Sequence, residues 1–241
     1  MKPKKNLILA FSSSLLVLVI LLALTAPTAA AQKNPADKEM ERLDNAIAAL
    51  KDLTGIPDKG IPVKLLQKCS GIAIIPGVIK AAWGVGGQYG KGVILLRSET
   101  GVWSDPVFIG IYGGSVGWQI GVQRADLILV FKSQMTVHNV ANGKITLGAD
   151  ASATAGPVGV TAQADTDIEF KAEILSYSKS RGLFAGVSIK GAAIEIDKDA
   201  NKVFYGNPDI SADDIFSGKD IKAPAQVQEL KELLAKILKS I

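Results

Sequence analysis

Two segments of the chain, one over residues 37–53 and one at the C-terminal end, carry hydrophobic residues at the spacing of an amphipathic helix. Between residues 37 and 53 apolar positions recur every three or four residues, so they share one helix face. These positions are Met40, Leu43, Ile47, Leu50 and Leu53. From Pro224 onwards a second stripe follows the same rule, with lysine and glutamate on the opposite side. A short helix is also predicted over 62–69, because Pro62 suits a first helical turn.

Between these helices the pattern changes to short β-branched and aromatic runs bounded by glycine, proline, serine or aspartate, which is typical of strands. The predicted strands cover residues 71–76, 81–89, 92–97, 107–112, 116–123, 127–131, 145–155, 159–163, 171–178, 184–190 and 192–196. Residues 99–101 suit a hairpin loop, and 202–205 is predicted to pair with 192–196 in a further hairpin. A short helix or turn is predicted over 133–140.

This order of elements predicts an α+β fold. We expect a mostly antiparallel, glycine-rich, twisted sheet or partial barrel. N-terminal helices precede the sheet, and a C-terminal amphipathic helix follows it.

The first 31 residues have the pattern of a secretory signal peptide. A basic start precedes an apolar run over 7–24, then Pro27 and small residues ending at Ala31. We expect cleavage after Ala31 and export to a bacterial periplasm, the cell envelope or the medium. A linker over 32–36 and one domain over 37–241 would follow. An uncleaved membrane anchor is the alternative, because about 20 apolar residues can span a bilayer.

Net charge argues against nucleic acid as a partner. The formal charge is +4, but without residues 1–31 the chain holds 24 basic and 23 acidic residues. A global field of that size is too weak to attract a polyanion. Any electrostatic partner must therefore bind a local cluster.

The residues that enzymes and metal sites need are scarce. Gly113-Gly-Ser-Val-Gly117 matches a nucleophile-elbow pattern, but a strand follows it where that motif needs a helix, so we interpret it as a glycine-rich hairpin turn. His138 is the only histidine and Cys69 the only cysteine, which excludes a two-histidine zinc site and an internal disulfide. Residues 197–208 lack the glycine and the final glutamate of a calcium loop. We expect no catalysis, no metal and no cofactor.

Cations near aromatic residues are the candidates for a binding surface, because such clusters suit an anionic membrane. The alternative is ordinary solvated charge with core aromatics. The candidate residues are Lys179, Arg181, Lys80, Lys91, Arg124, Trp83 and Trp118.

A series of short motifs resembles the SYLF lipid-binding domain of yeast and animal actin-patch and endocytic proteins. In chain order they are Gly71-Ile-Ala-Ile-Ile-Pro76, Gly84-Val-Gly-Gly-Gln-Tyr-Gly90, Trp103-Ser-Asp-Pro106, Gly113-Gly-Ser-Val-Gly117, Gln119-Ile-Gly121, Ala155-Gly-Pro-Val-Gly159, Tyr177-Ser-Lys-Ser-Arg-Gly-Leu-Phe-Ala-Gly186 and Phe204-Tyr-Gly206. The resemblance runs from about residue 37 to the C-terminus. It implies a phospholipid-binding module that acts partly through an N-terminal amphipathic helix, here 37–53. Some members also bind actin.

The resemblance implies a non-catalytic phospholipid- or membrane-binding protein of the bacterial envelope. Lys179 and Arg181 are the first residues expected at an electrostatic site, because both lie close to the turn at Gly182. The alternative is a surface or periplasmic protein-interaction or adhesion module with an unknown protein partner.

Overall fold

A computed structural model describes most of the chain after residue 33. The described residues are 34–54, 61–157, 172–180, 183–187, 189–218 and 221–239. Their helices are α1 (Pro35–Thr54), α2 (Val63–Lys68), α3 (Gln134–Ala141), α4 (Lys198–Tyr205), α5 (Ala212–Ser217) and α6 (Ala225–Lys239). Their strands are β1 (Gly71–Leu96), β2 (Val107–Phe131), β3 (Lys144–Thr146), β4 (Ala153–Ala155), β5 (Ile174–Ser180), β6 (Leu183–Gly186) and β7 (Ala192–Ile196).

The long strand β2 organises the sheet. Along one edge it pairs with β1 over nearly its whole length, from Ile94 opposite Val107 to Gly71 opposite Phe131. Its other edge is shared, since residues 109–113 pair with β7 and residues 126–131 pair with β5. β3 adds to β7, while β4 and β6 add to β5. All of these pairings are antiparallel except that of β4 with β5, which confirms the predicted α+β class and mostly antiparallel sheet.

Strand β1 doubles back on itself so that its two halves touch. The amide of Arg97 donates a hydrogen bond of 2.8 Å to the carbonyl oxygen of Ser70. Farther along, a Cβ on Gly92 would lie 2.2 Å from the carbonyl oxygen of Ile74, and one on Gly90 would lie 2.8 Å from Cγ2 of Val78. Backbones approach this closely only where side chains are absent. Each contact joins residues whose numbers are nearly symmetric about residue 84, so the fold-back turns near Gly84.

The doubled strands bury a core on each face, because successive side chains of a strand point to opposite sides. The inner face of β1 and β2 carries Ile75, Val78, Ile109 and Ile111, which pack in a core with residues of α3 and α5. The outer face carries a second set that packs under α1, α2, α4 and α6; its strand members include Ile72, Ile74, Val93, Leu95, Phe108, Ile128, Val130, Leu175 and Tyr177.

Both predicted amphipathic helices use their apolar stripes to cover the outer core. In α1 the stripe residues Leu43 and Leu50 are fully buried, and in α6 so is Leu230. The predicted bounds are confirmed to within a turn. The stripes are occupied by intramolecular packing, and among the described residues no helix is both long and apolar enough to cross a membrane.

Several predicted boundaries are wrong because glycine-rich stretches continue as strand. The predicted strands over 71–97 are one strand of 26 residues, and those over 107–131 are one of 25. Residues 113–117 are therefore not a hairpin turn: they lie inside β2, where the ladder to β1 continues through Ser115 opposite Gly86. The loop at 99–101 is confirmed, with Gly101 at φ +85°.

The predicted hairpin between 192–196 and 202–205 is also wrong. Residues 198–205 form α4 because Asp197 caps a helix: its side chain accepts a hydrogen bond from the amide of Ala200, and Gly206 ends the helix at φ +63°. Residues 145–155 are two short strands, β3 and β4, separated by a turn with Gly148 at φ +87°. The predicted strand over 159–163 lies outside the described residues.

Replacing Gly92 with alanine tests the fold-back. The new Cβ would meet the backbone of Ile74, which has no flexible end that can yield, so we expect a loss of about 3 kcal/mol in the free energy of unfolding. Gly87→Ala is the matched control, because the nearest atom to its Cβ is the carbonyl oxygen of Gly113 at 4.0 Å. Urea unfolding of both variants gives the comparison, and equal midpoints would contradict the fold-back.

Candidate functional site

The middle of the β1–β2 ribbon extends beyond the other strands of the sheet. We define the ribbon segment as residues 79–89 of β1 and 112–124 of β2, which pair with each other from Ile79 opposite Arg124 to Tyr89 opposite Tyr112. Between residues 114 and 125, β2 pairs only with β1 among the described strands. Over these residues the edge of β2 that faces away from β1 is therefore unpaired in the described sheet.

The outer face of the ribbon segment exposes apolar side chains. Val122 is 72% exposed, Tyr89 is 52% exposed and Ile79 is 46% exposed. All lie on the outer face of their strands. Ile79 and Tyr89 each adjoin a residue that faces the inner core, Val78 and Gly90, and Val122 is two residues from Arg124, the ladder partner of Ile79. Ile79 and Val122 are therefore close together, and Tyr89 lies on the other arm of the fold-back. Apolar side chains gathered on one surface indicate an interaction site rather than random exposure.

The charges of the ribbon segment are all positive. Its only ionisable cations are Lys80 and Arg124, and it contains no aspartate or glutamate. Arg124 is exposed on the outer face, and its guanidinium passes close to Gly77, where a Cβ would lie 2.6 Å from Nε. Lys80 lies on the inner face and is half-buried, and burial lowers the pKa of its ammonium group.

Lys91 lies just beyond the ribbon segment and is held in a partly buried ion-pair network. Its Nζ is 2.8 Å from Oδ2 of Asp197, and the same oxygen is 3.1 Å from Nη1 of Arg42 in α1. Arg42 also pairs with Glu39 at 2.7 Å and lies over the ring of Phe108. Lys91 thus belongs to the ion pairs that hold α1 against the sheet.

Lys179 also forms an ion pair with α1, at the end of the ribbon segment opposite that of Lys91. Its Nζ is 2.8 Å from Oδ2 of Asp52 near the end of α1. In the ladder Lys179 lies opposite Asp126, two residues from Arg124. The helical cover of the outer face therefore ends beside the ribbon segment. Arg181 lies outside the described residues.

The backbone at Trp83 and Trp118 marks the irregular centre of the ribbon segment. Ala82 lies opposite Gly121 and Gly84 lies opposite Gly117. One residue of β1, Trp83, is thus matched by three residues of β2 that begin with Trp118. Such a bulge bends a ribbon and increases its twist, and its position coincides with the turn of the fold-back.

No arrangement for catalysis or metal binding is seen in the described part of the chain. Ser115 lies in the middle of a strand ladder rather than between a strand and a helix. His138 lies on α3 with 42% of its side chain exposed, and its Nδ1 is 3.3 Å from Oδ1 of Asp213. No group of three or more histidine, cysteine or acidic side chains is placed to hold a metal there. Cys69 is buried, and burial raises the pKa of its thiol to about 11, so the thiol is unreactive at neutral pH.

Comparison with known proteins agrees with the motifs. A family model described as Ysc84, Las17-binding protein actin regulator, matches residues 112–237. SH3 domain-containing YSC84-like protein 1 of Xenopus laevis is 38% identical over 195 residues, which cover 78% of this chain and 58% of that protein. The human protein of the same name is 38% identical over 179 residues, covering 74% of this chain and 52% of that protein. LAS seventeen-binding protein 3 of Saccharomyces cerevisiae is 38% identical over 180 residues, covering 73% of this chain and 39% of that protein.

The chain belongs to the Ysc84 (SYLF) family. The resemblance drawn from the motifs is therefore confirmed. The chain spans about half the length of these relatives, whose names refer to an SH3 domain and to binding of LAS seventeen.

In this SYLF protein the structure places four of the candidate residues in the ribbon segment and two beyond its ends, while Arg181 lies outside the described residues. Lys80, Arg124 and the backbones of Trp83 and Trp118 share the ribbon segment, whereas Lys91 and Lys179 are engaged in ion pairs at its two ends. Sequence reasoning missed Ile79 and Val122 on the outer face. The absence of any acidic residue over 71–98 and 106–125 is the pattern that would have indicated this surface.

Replacing Asp197 with asparagine tests the ion-pair network that bears Lys91. Burial raises the pKa of Asp197, but hydrogen bonds from Lys91 and the Ala200 amide, with the charge of Arg42, outweigh it and hold the pKa below its usual range. A lowered pKa stabilises the fold above the unfolded-state pKa of about 3.9, and this stabilisation is lost as pH falls through the folded-state pKa.

We expect Asp197→Asn to lower the free energy of unfolding by about 2 kcal/mol at neutral pH. The side chain still caps α4, so the loss reports the charge. Urea unfolding at pH 7 and at about pH 2 gives the comparison, because wild-type Asp197 loses its charge as pH falls through its lowered pKa. A difference between wild type and variant that stays the same at both pH values would count against the network.

Proposed function

We propose that this SYLF protein binds phospholipid membrane surfaces through the outer face of its ribbon segment. The observation that carries the proposal is the combination on one face of exposed Ile79, Tyr89 and Val122 with the cation Arg124, in a segment without acidic residues. Apolar side chains insert into the headgroup region, and a nearby cation is attracted to anionic lipids. Membership of a lipid-binding family supports this assignment.

The ribbon segment is a better candidate for the membrane contact than helix α1. The apolar stripe of α1 is buried in the outer core, and Arg42 fixes that helix to Asp197. Inserting α1 into a bilayer would require these contacts to break. The ribbon segment can reach a membrane while the core stays intact.

A protein-binding role is the second candidate. The matching family model is described as a Las17-binding actin regulator, which names a protein partner for the family. Between residues 114 and 125 β2 has only β1 as a neighbour among the described strands, so that edge of the ribbon segment offers backbone groups to an extended peptide. Indifference to vesicles of every composition would favour this role.

Vesicle co-sedimentation tests the membrane proposal. We expect binding to vesicles that contain anionic lipid, with a part that weakens at high salt and a part that persists because of apolar insertion. Val122→Ser should weaken binding about tenfold, since most of a valine's transfer free energy would be lost. Arg124→Glu should weaken it by a similar factor at low salt and by less at high salt.

Matched controls separate the ribbon segment from general surface effects. Val102→Ser changes a valine that is 62% exposed in the loop between β1 and β2, and Lys64→Glu changes an exposed lysine on α2. Both controls should bind vesicles as the wild type does. If they weaken binding as much as the ribbon variants, the outer face is not the contact surface.

We further propose that the protein acts in a bacterial envelope after export. The support is the pattern of residues 1–31, which has the basic, apolar and small-residue regions of a signal peptide. Expression of the full chain followed by fractionation should place it outside the cytoplasm, with a mass that corresponds to a start at Gln32. A cytoplasmic chain of full mass would refute export, and a membrane-bound chain of full mass would indicate an uncleaved anchor.

A further inference from the structure

Two polar side chains of β1 lie on the inner face of the ribbon segment. Lys80 follows Val78 by two residues, and Gln88 precedes Gly90 by two. Val78 and Gly90 both face the inner core and contact each other across the fold-back. Since side chains two apart in a strand share a face, Lys80 and Gln88 lie on that same inner face, one on each arm of the fold-back.

Neither side chain has a protein partner within the part of the chain that the structure describes. Gln88 is only 7% exposed, and no hydrogen bond from its amide is seen there, although its amide atoms are not among the fully enclosed side-chain atoms that lack a partner and so retain contact with solvent. Lys80 is half-buried, and burial alone accounts for the lowered pKa of its ammonium group, without a contribution from any carboxylate. Both groups are thus largely enclosed by protein but unpaired there, so a ligand that enters from solvent can bind them without displacing a protein partner.

The inner face also has an opening to solvent. Gln123 lies directly opposite Lys80 in the ladder and is exposed, whereas Lys80 is half-buried and Gln88 is buried. From Gln123 to Lys80 to Gln88 the side chains are thus progressively less exposed to solvent. Near Gln88 the strands carry glycines at 86, 87, 90 and 113, so backbone groups are accessible to a small ligand.

We infer that Lys80 and Gln88 form a binding site for a phosphate group, with Gln123 at its mouth. The ammonium and amide groups supply hydrogen-bond donors and one positive charge, and the ribbon segment holds no carboxylate that would compete for them. The site lies on the opposite face from Arg124 and the exposed apolar residues. It deepens the proposed function, on which it rests for a phospholipid headgroup as the source of the phosphate; free phosphate shares the same chemistry.

If Lys80 serves ligand binding rather than folding, replacing it should not lower the free energy of unfolding. Removing the charge of a half-buried ammonium group without a partner should not destabilise the fold, so Lys80→Met is expected to unfold at the same or a higher urea concentration than wild type. A lysine with a purely structural role would show the opposite shift. The same variant must also lose phosphate binding.

The test uses the full chain with Lys80→Met and Gln88→Leu, and Lys64→Met as the exposed-lysine control. The probes are inorganic phosphate, dihexanoyl phosphatidic acid below its micelle concentration, and vesicles with and without anionic lipid. Titration calorimetry should show saturable binding of at least one phosphate probe to wild type and to Lys64→Met. We expect a loss of about tenfold or more in Lys80→Met and Gln88→Leu, while Arg124→Glu retains the soluble probes.

The outcomes separate this inference from the proposed function. Binding of phosphatidic acid without inorganic phosphate would support a lipid headgroup as the ligand, and binding of both would support a general phosphate site. Lys80-dependent phosphate binding without vesicle binding would keep the site and remove the membrane function. The inference is overturned if no phosphate probe saturates wild type, or if both inner-face variants bind as wild type does, even when vesicle binding is intact.

Discussion

The contact of β1 with itself is the constraint on which the rest of the structure depends. Gly90 and Gly92 let the second half of the strand pass against Val78 and Ile74 of the first half at distances that a side chain would forbid. Because β2 pairs with β1 throughout, it must bend with it. The bend separates the two ends of β2, so that β7 joins one end and β5 joins the other. The partial barrel is thus a consequence of one doubled ribbon.

The same bend creates the two surfaces at the ribbon segment. In the parts of β1 and β2 outside the ribbon segment, helices cover the outer face and a packed core lies on the inner face. Toward the bend that cover ends, so Ile79 and Val122 are exposed outside while Lys80 and Gln88 are enclosed inside. Residues adjacent in sequence therefore face different environments. An apolar outer surface and a polar inner one on the same strands allow membrane contact and headgroup binding to be separate interactions.

Ion pairs hold helix α1 against the outer face of the sheet and so determine which part of that face it covers. Asp197 caps α4 and accepts hydrogen bonds from Lys91 and Arg42, which joins α4, β1 and α1 at one partly buried point. Lys179 and Asp52 form a second, more exposed tie. Buried ion pairs contribute little net stability after desolvation but favour one arrangement of their partners. Two of the cations expected to meet a ligand are used in this way.

The sequence alone determined the two long amphipathic helices, the class of the sheet and the family. These depend on periodicity, capping and short motifs, which are local; the stripes of α1 and α6 and the strand 192–196 were predicted close to their observed bounds. It did not determine where strands end, because glycines at 84–92 and 113–117 break a strand in most contexts and here continue it. The hairpin after Ile196 failed because the cap at Asp197 competes with pairing. Only the tertiary structure decided which of the described candidate cations are held in ion pairs, since those pairs join residues more than a hundred positions apart. The two faces of the ribbon segment likewise depend on the pairing of two separate strands.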